Sequence, residues 1–123
     1  MLTIGELAKR TGLRTSALRY YEEQQLLQPT ERTAAGYRLY ADEAEQTVRF
    51  IQRTQRLGFS LTEIKLLLKG MAAGNLTDDA LLQTAEARYL LLEQELTALL
   101  VMRHELGLFW QDLHRKVTQQ EPM

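Results

Sequence analysis

The sequence of 123 residues predicts a mostly α fold, in which a winged helix-turn-helix head with a small β-hairpin wing precedes one long coiled-coil helix. Three observations support this prediction: two short helical patterns joined by a glycine turn, a short alternating segment, and a heptad repeat near the end. We expect residues 1–70 to form the head, 71–76 a hinge loop, 77–117 the long helix and 118–123 a flexible tail.

The composition excludes several classes of protein. The chain has no cysteine, so disulfides, thiolate metal sites and cysteine nucleophiles are excluded. It begins without the features of a signal peptide, and no apolar run approaches the ~20 residues that span a bilayer, so we expect a cytoplasmic protein with no membrane association. Residues 1–70 carry 11 Lys/Arg and 8 Asp/Glu, whereas residues 71–123 carry 4 and 8. A basic front and an acidic rear suit a chain that offers its front to a polyanion.

The first two helices are predicted from their ends. Thr3 opens a capping box with the glutamate three residues later, and Gly12 suits the left-handed turn at the end of the first helix. A second helix is expected at 15–23, with Leu18 and Tyr21 as its buried side. Two short helices joined by a tight turn indicate a helix-turn-helix unit.

The wing is predicted from alternation. Residues 30–40 are polar at first and then alternate around a glycine, which predicts a two-stranded hairpin. Leu39 and Tyr40 are expected to cap the core, leaving Tyr37 and Arg38 outside.

Two further helices should complete the head. The third is expected to begin with Asp42 as its N-cap and to end at Gly58, and the fourth opens with a capping box at Ser60. A flexible break is expected over residues 70–75. The residues expected to face inward are Val48, Ile51, Leu57, Leu61, Ile64, Leu67 and Leu68.

The long helix carries a heptad stripe that a head of about 70 residues cannot cover. A helix of roughly 36–40 residues is on the order of 55–60 Å long, so the stripe needs a partner helix, and a second copy of the chain is the simplest partner. Arg103 interrupts the stripe, where it either sets register or faces a carboxylate of the other chain. The dimer interface is predicted to contain Leu82, Tyr89, Leu92, Leu96, Leu99, Leu106, Trp110 and Leu113.

Arginine and tyrosine alternate in both the second helix and the wing. Arginine offers a charged fork to a phosphate or a guanine edge, and tyrosine offers a flat body with one hydroxyl. The alternatives are an ordinary solvated helix and a hairpin whose aromatic residues cap the core. The candidate contacts to double-stranded DNA are Thr15, Ser16, Arg19, Tyr20, Arg32, Tyr37, Arg38 and Arg56.

Catalysis has no support in the sequence. There is no glycine-rich phosphate loop, no nucleophile–base pair at a recognisable spacing and no pair of histidines on one helical turn. We therefore predict no catalytic residues, no cofactor and no metal site.

Taken in order, five strings resemble the MerR family of bacterial transcription regulators over residues 2 to about 70, and the long helix resembles the family in architecture. The strings are Thr3-Ile4-Gly5-Glu6-Leu7-Ala8, Thr11-Gly12-Leu13, Leu18-Arg19-Tyr20-Tyr21-Glu22, Gly36-Tyr37-Arg38-Leu39-Tyr40 and Leu57-Gly58-Phe59-Ser60-Leu61.

The resemblance implies a homodimer joined by an antiparallel coiled coil. It also implies a pseudo-palindromic operator inside an overlong promoter spacer, where an effector lets the dimer bend and untwist the DNA for RNA polymerase. Recognition-helix contacts would fall on Ser16 and Arg19, and first-wing contacts on Arg32, Tyr37 and Arg38. Many relatives carry a basic residue where this chain has Gln55, which leaves Arg56 as the replacement.

The region where family members bind their effector departs from the family pattern in this chain. Metal and redox members place cysteines near the ends of the coil, and this chain has none. A site of hard ligands remains conceivable, because antiparallel pairing would bring the two ends of the helix together. The candidate effector-binding residues are Asp78, Asp79, Trp110 and His114.

Three functional hypotheses follow. The leading one is a dimeric, sequence-specific DNA-binding regulator with an unknown effector. A coiled-coil protein-interaction or architectural DNA-binding module without effector-driven activation is the alternative, and a small-molecule binding protein is the third.

Overall fold

The computed structural model describes residues 1–120, which divide into a first unit of residues 1–76 and a second that begins at Thr77. It confirms the mostly helical fold with a winged head and a long helix. The elements are β1 (Leu2–Thr3), α1 (Ile4–Thr11), α2 (Thr15–Glu23), β2 (Glu31–Arg32), β3 (Arg38–Tyr40), α3 (Ala44–Arg56), α4 (Leu61–Ala72) and α5 (Asp78–Gln119).

The helix-turn-helix unit forms as its end signals predict. Thr3 Oγ1 accepts from the amide of Glu6, and the Glu6 carboxylate accepts from the amide of Thr3, both at 3.2 Å. These bonds satisfy free amides at the start of α1. Gly12 ends the helix with φ of 72°, a conformation that costs glycine little and other residues more.

The predicted two-stranded wing is present as β2 and β3, and β1, which was not predicted, adds a third strand to the sheet. β3 lies in the middle of the order β1-β3-β2 and is antiparallel to both neighbours. Leu2 is opposite Tyr40 across one ladder, and Arg32 is opposite Arg38 across the other. β1 is only two residues long and pairs with a strand almost forty positions away, so no local pattern announces it.

One apolar core holds the first unit together. Tyr40 from the sheet is fully buried with side chains from four helices, which confirms its predicted place in the core, whereas Leu39 is only half-buried. Full burial of such a side chain contributes roughly 1.5–3 kcal/mol before entropy is counted. The fully buried side chains are Leu7, Leu18, Tyr40, Val48, Ile51 and Ile64.

Helix α3 differs from the prediction at both ends. Asp42 does not cap it, because the helix begins at Ala44 after a turn and Asp42 Oδ1 lies 3.2 Å from the amino group of Met1. Leu57 does not face inward and is 51% exposed, because the helix ends at Arg56 and its periodicity ends there as well.

Helix α4 extends into the predicted break but does not cross it. It runs to Ala72, and the chain turns only at residues 73–76. The carbonyl of Gly70 accepts from the amides of Asn75 and Leu76 at 2.9 and 3.1 Å. A Cβ at Gly70 would lie 3.2 Å from the Cβ of Leu76, so the glycine permits a close approach of this turn rather than ending the helix.

Helix α5 forms the second unit. Thr77 caps it by accepting from the amide of Ala80 at 3.2 Å, and it reaches Gln119, two residues beyond the predicted end at 117. Residues 118 and 119 are therefore helical rather than part of a flexible tail, and residues 121–123 of that prediction lie outside the described residues. No residue of α5 is buried in the single chain.

Within residues 1–120, no helix is both long and apolar enough to cross a membrane.

Ser60 provides a stability test of the second capping box. Its Oγ accepts from the amide of Glu63 at 3.1 Å, and Ser60→Ala should lower the free energy of unfolding by about 1 kcal/mol. Thr62→Ala, two residues into the same helix, is the control and should change it by no more than about 0.5 kcal/mol. Urea unfolding followed by circular dichroism measures both; equal losses in the two variants would contradict a capping role.

Candidate nucleic-acid interface

Helix α2 presents a polar face to solvent. Leu18 and Tyr21 are buried as predicted, and this fixes the orientation of the helix. The opposite side exposes three of the predicted contact residues, Ser16, Arg19 and Tyr20. This face therefore offers one cation and two hydroxyls within about one turn of helix.

The start of α2 is open as well. Arg14 occupies the N-cap position without a side-chain cap, and among the described residues the amides of Thr15 and Ser16 have no hydrogen-bond acceptor. Thr15 itself is half-buried in the first turn. Free amides and the positive end of a helix dipole attract an anion, so Arg14 joins the predicted residues as one that the sequence reasoning did not consider.

The buried face of α2 is tied to α3. The Tyr21 hydroxyl donates to Gln55 Oε1 at 2.7 Å, and burial raises the pKa of Tyr21, so it remains a neutral donor. Arg56, the next residue, is exposed in the last turn of α3. Gln55 therefore braces α2 instead of presenting a charge.

The tip of the wing is braced by its own side chains. Arg32 Nη1 donates to the carbonyl of Gly36 at 3.1 Å, and the amide of Tyr37 donates to Thr33 Oγ1 at 3.1 Å. The side chain of Tyr37 is 72% exposed. The wing thus holds an aromatic ring with a hydroxyl in solvent on a fixed backbone.

Arg38 is not outside, as the alternation predicted, but half-buried. Its Nε lies 2.7 Å from Glu22 Oε2, and this ion pair joins the wing to α2. The two atoms are close, but they do not form an aligned hydrogen bond, so the attraction is mainly between charges. The sequence reasoning assigned no role to Glu22; its position next to the buried Tyr21, at the edge of the buried face, was the available signal.

The candidate effector residues lie at two ends of α5. Asp78 and Asp79 occupy the first turn, whereas the rings of Trp110 and His114 stack about nine turns later with centroids 5.4 Å apart. At 1.5 Å per residue the two ends are about 50 Å apart, so a single chain does not bring these residues together. The part of the chain that the structure describes contains no group of three or more metal-binding side chains.

The predicted dimer residues form an exposed apolar stripe along α5. Their exposed fractions in the single chain lie between 40% and 66%. Exposed leucine and tryptophan side chains at this spacing are typical of a surface that a second helix covers.

Family comparison decides what kind of protein carries these features. The sequence model of the MerR HTH family regulatory proteins matches residues 2–71, and that of the MerR DNA-binding region matches residues 45–108. The chain belongs to the MerR family. MerR family members and the relatives below are described as regulators rather than enzymes, which agrees with the prediction of no catalytic role.

The similarity to individual relatives supports membership of the family, but it covers only part of their length. An uncharacterised HTH-type transcriptional regulator of Pseudomonas aeruginosa, PA4778, is 48% identical over 67 residues, which cover 54% of this chain and 51% of that protein. The chain spans about half the length of the curated relatives it matches.

Two solved MerR structures share the fold. The transcription regulator PbrR691 from Ralstonia metallidurans CH34, in complex with lead(II), is 28% identical with a TM-score of 0.76, covering 94% of this chain and 87% of that one. HiNmlR, a MerR family regulator lacking the sensor domain and bound to promoter DNA, is 26% identical with a TM-score of 0.51, covering 94% and 86%.

Proposed function

We propose that this MerR-family protein is a homodimeric, sequence-specific DNA-binding regulator of transcription that acts on a pseudo-palindromic operator in a promoter. One observation carries the proposal: the exposed Arg19 face of α2 and the wing belong to one unit and are joined by the Glu22–Arg38 pair. A helix and a wing fixed beside each other can contact a groove and the adjacent backbone together.

Within this proposal α2 lies in the major groove. Arg19 is the residue suited to a base edge, because its exposed guanidinium can bond in bidentate fashion to guanine. Ser16 and Tyr20 contact backbone oxygens, and the open amides at Thr15 and Ser16 hold a phosphate at the start of the helix.

The wing and α3 supply the backbone contacts on either side. Tyr37 projects from the wing tip, Arg38 follows it on the side of α2, and Arg32 holds the tip in shape as well as adding charge. Arg56 reaches a phosphate from the end of α3. These contacts position the protein and carry no sequence information directly.

The dimer follows from the apolar stripe of α5. Two chains joined along this stripe present two heads related by twofold symmetry, which matches an operator with two inverted half-sites. HiNmlR is bound to promoter DNA, which supports a promoter as the binding partner. In our proposal the dimer bends and untwists the promoter, so that RNA polymerase engages it through the DNA. Such a regulator works in the cytoplasm, where bacterial DNA resides.

The effector differs from that of thiolate sensors. Lead(II) is the ligand of PbrR691 in its complex, but this chain has no cysteine for a soft metal. In an antiparallel dimer, Asp78 and Asp79 of one chain would approach Trp110 and His114 of the other. That arrangement would offer carboxylates and an imidazole to a hard cation or a small basic molecule.

Tyr37→Ala tests the wing contact. The side chain is exposed and outside the core, so the free energy of unfolding should stay within about 0.5 kcal/mol of the wild-type value. Binding to operator and to unrelated duplex should weaken together, by about threefold to tenfold, because the contact is to the backbone. Fluorescence anisotropy measures both affinities; a loss confined to the operator would contradict this assignment.

A mobility-shift assay on the DNA upstream of the gene tests the proposed function. We expect sequence-selective binding that weakens steeply as salt rises, because cationic side chains displace counterions from the phosphates. Absence of selective binding would overturn the proposal. Retention of a protein partner or a small molecule by α5, without DNA binding, would favour the two alternatives.

A further inference from the structure

Three side chains form a cluster between α2 and the wing, here called the helix–wing cluster: Glu22, Arg38 and Tyr40. Glu22 and Arg38 are paired at 2.7 Å with only 14% and 33% of their side chains exposed. The Tyr40 hydroxyl is buried next to this pair and interacts with the Glu22 carboxylate. Its burial, and secondly the negative charge of Glu22, raise its pKa, so the ring supports the pair as a neutral group.

The negative charge of Glu22 should weaken DNA binding by α2 unless a nearby cation neutralises it. A carboxylate on the helix that enters the groove repels phosphates, and partial burial reduces screening by salt. Pairing with Arg38 removes the repulsion, but an apolar residue would also have removed it. The specific feature of the pair is therefore its geometry.

The ion pair with Glu22 involves only one nitrogen of the Arg38 guanidinium. Glu22 Oε2 lies 2.7 Å from Nε, on the side of α2, whereas 33% of the Arg38 side chain stays exposed to solvent, which leaves room for a second partner at the terminal nitrogens. Arginine can bind a carboxylate through one edge and a phosphate through its remaining donors. An arginine that is already held at Nε also loses less rotamer entropy on contacting DNA than a free arginine would.

We propose that Glu22 is a positioning residue, which holds the Arg38 guanidinium between the wing and α2 so that its terminal nitrogens can bind a backbone phosphate. This inference rests on the proposed DNA-binding function. Glu22 itself does not touch DNA, and its contribution is exerted through Arg38. Among residues 1–120, no other ion pair joins the wing to α2.

A double-mutant cycle separates positioning from a purely structural ion pair. In the wild-type background, Arg38→Gln should weaken operator binding about tenfold and reduce the slope of log K against log salt by about one, as for one lost phosphate contact. In the Glu22→Gln background the same change should cost less than twofold and leave the slope unaltered. Glu22→Gln alone should already show most of the loss, although it makes the surface more positive.

The control is Glu23→Gln, which removes the neighbouring exposed carboxylate of α2. In the Glu23→Gln background, Arg38→Gln should still weaken operator binding about tenfold. Circular dichroism and thermal unfolding establish that each variant is folded. If Glu22→Gln is unstable, Glu22→Asp keeps the charge but shortens its reach, and it should show the same reduced effect of Arg38→Gln.

Equal losses from Arg38→Gln in the wild-type and Glu22→Gln backgrounds would overturn the inference, as would unchanged affinity in Glu22→Gln alone. Both outcomes require the wild-type protein to bind its operator selectively. If the wild-type protein shows no selective binding, the proposed function itself fails, and that result is recognisable before any variant is compared.

Discussion

Leu99→Asp is expected to convert a dimer into a monomer and to reduce operator affinity by a hundredfold or more. Leu99 lies near the middle of the predicted stripe and is 61% exposed in the single chain. Burying a leucine contributes roughly 1.5–3 kcal/mol, and a dimer loses this contribution twice. A carboxylate at the same place would add the cost of removing a charge from water.

The effect on DNA binding follows from the loss of the second head. Two linked heads bind a two-half-site operator with an avidity that can exceed that of one head by 10²–10⁴. Sedimentation velocity gives the oligomeric state, and a mobility-shift titration gives the affinity. The matched control is Gln94→Asp, an exposed position outside the stripe, which should leave both unchanged. A dimeric Leu99→Asp with full affinity would contradict the interface.

Arg19→Ala is expected to weaken specific binding by about 1–3 kcal/mol and to relax the preference at one base pair of each half-site. Arg19 is exposed on the polar face of α2, and its side chain forms no hydrogen bond or ion pair within residues 1–120, so its removal should leave the unfolding curve unchanged.

Competition between operator and unrelated DNA distinguishes a contact to a base from a contact to a phosphate. Affinity for unrelated duplex should fall much less than affinity for the operator, because an arginine that reads a base adds little to non-specific binding. Arg115→Ala removes the same charge from α5 and should change neither affinity. An equal loss on operator and unrelated DNA would show that Arg19 contacts only phosphate.

Local signals in the sequence predicted most of the head. The capping boxes at Thr3 and Ser60, and Gly12 after α1, depend on residues within four positions of each other, and the structure shows each of them. The burial of Leu18, Tyr21 and Tyr40 also followed from spacing along one element. These features are predictable because neighbouring residues alone decide them.

The features of the fold that were predicted wrongly depend on contacts between distant parts of the chain. β1 is a strand only because Tyr40 and Leu39 lie beside it, and Asp42 is drawn to the amino group of Met1. Gly70 was interpreted as a helix breaker, although it makes room for Leu76. No periodicity encodes such contacts.

The same limit applies to the candidate site. Spacing correctly places Ser16, Arg19 and Tyr20 on the exposed side of α2, but it treats Arg38 as a free wing residue. Its partner Glu22 is sixteen positions earlier, on another element, and the pair emerges only when the wing folds against the helix. On α5, Leu90, Val101 and Leu108 are exposed outside the heptad stripe, and heptad spacing offers no reason for them.

Titration of the protein with three DNA duplexes tests the central claim most directly: the intact operator, the operator with one half-site scrambled, and unrelated DNA of equal length. Fluorescence anisotropy gives the affinities and sedimentation gives the number of chains bound. We predict two chains on the intact operator and a hundredfold or greater loss of affinity when either half-site is scrambled. Equal affinity for all three duplexes, or a single chain bound to the intact operator, would contradict a dimeric, sequence-specific regulator.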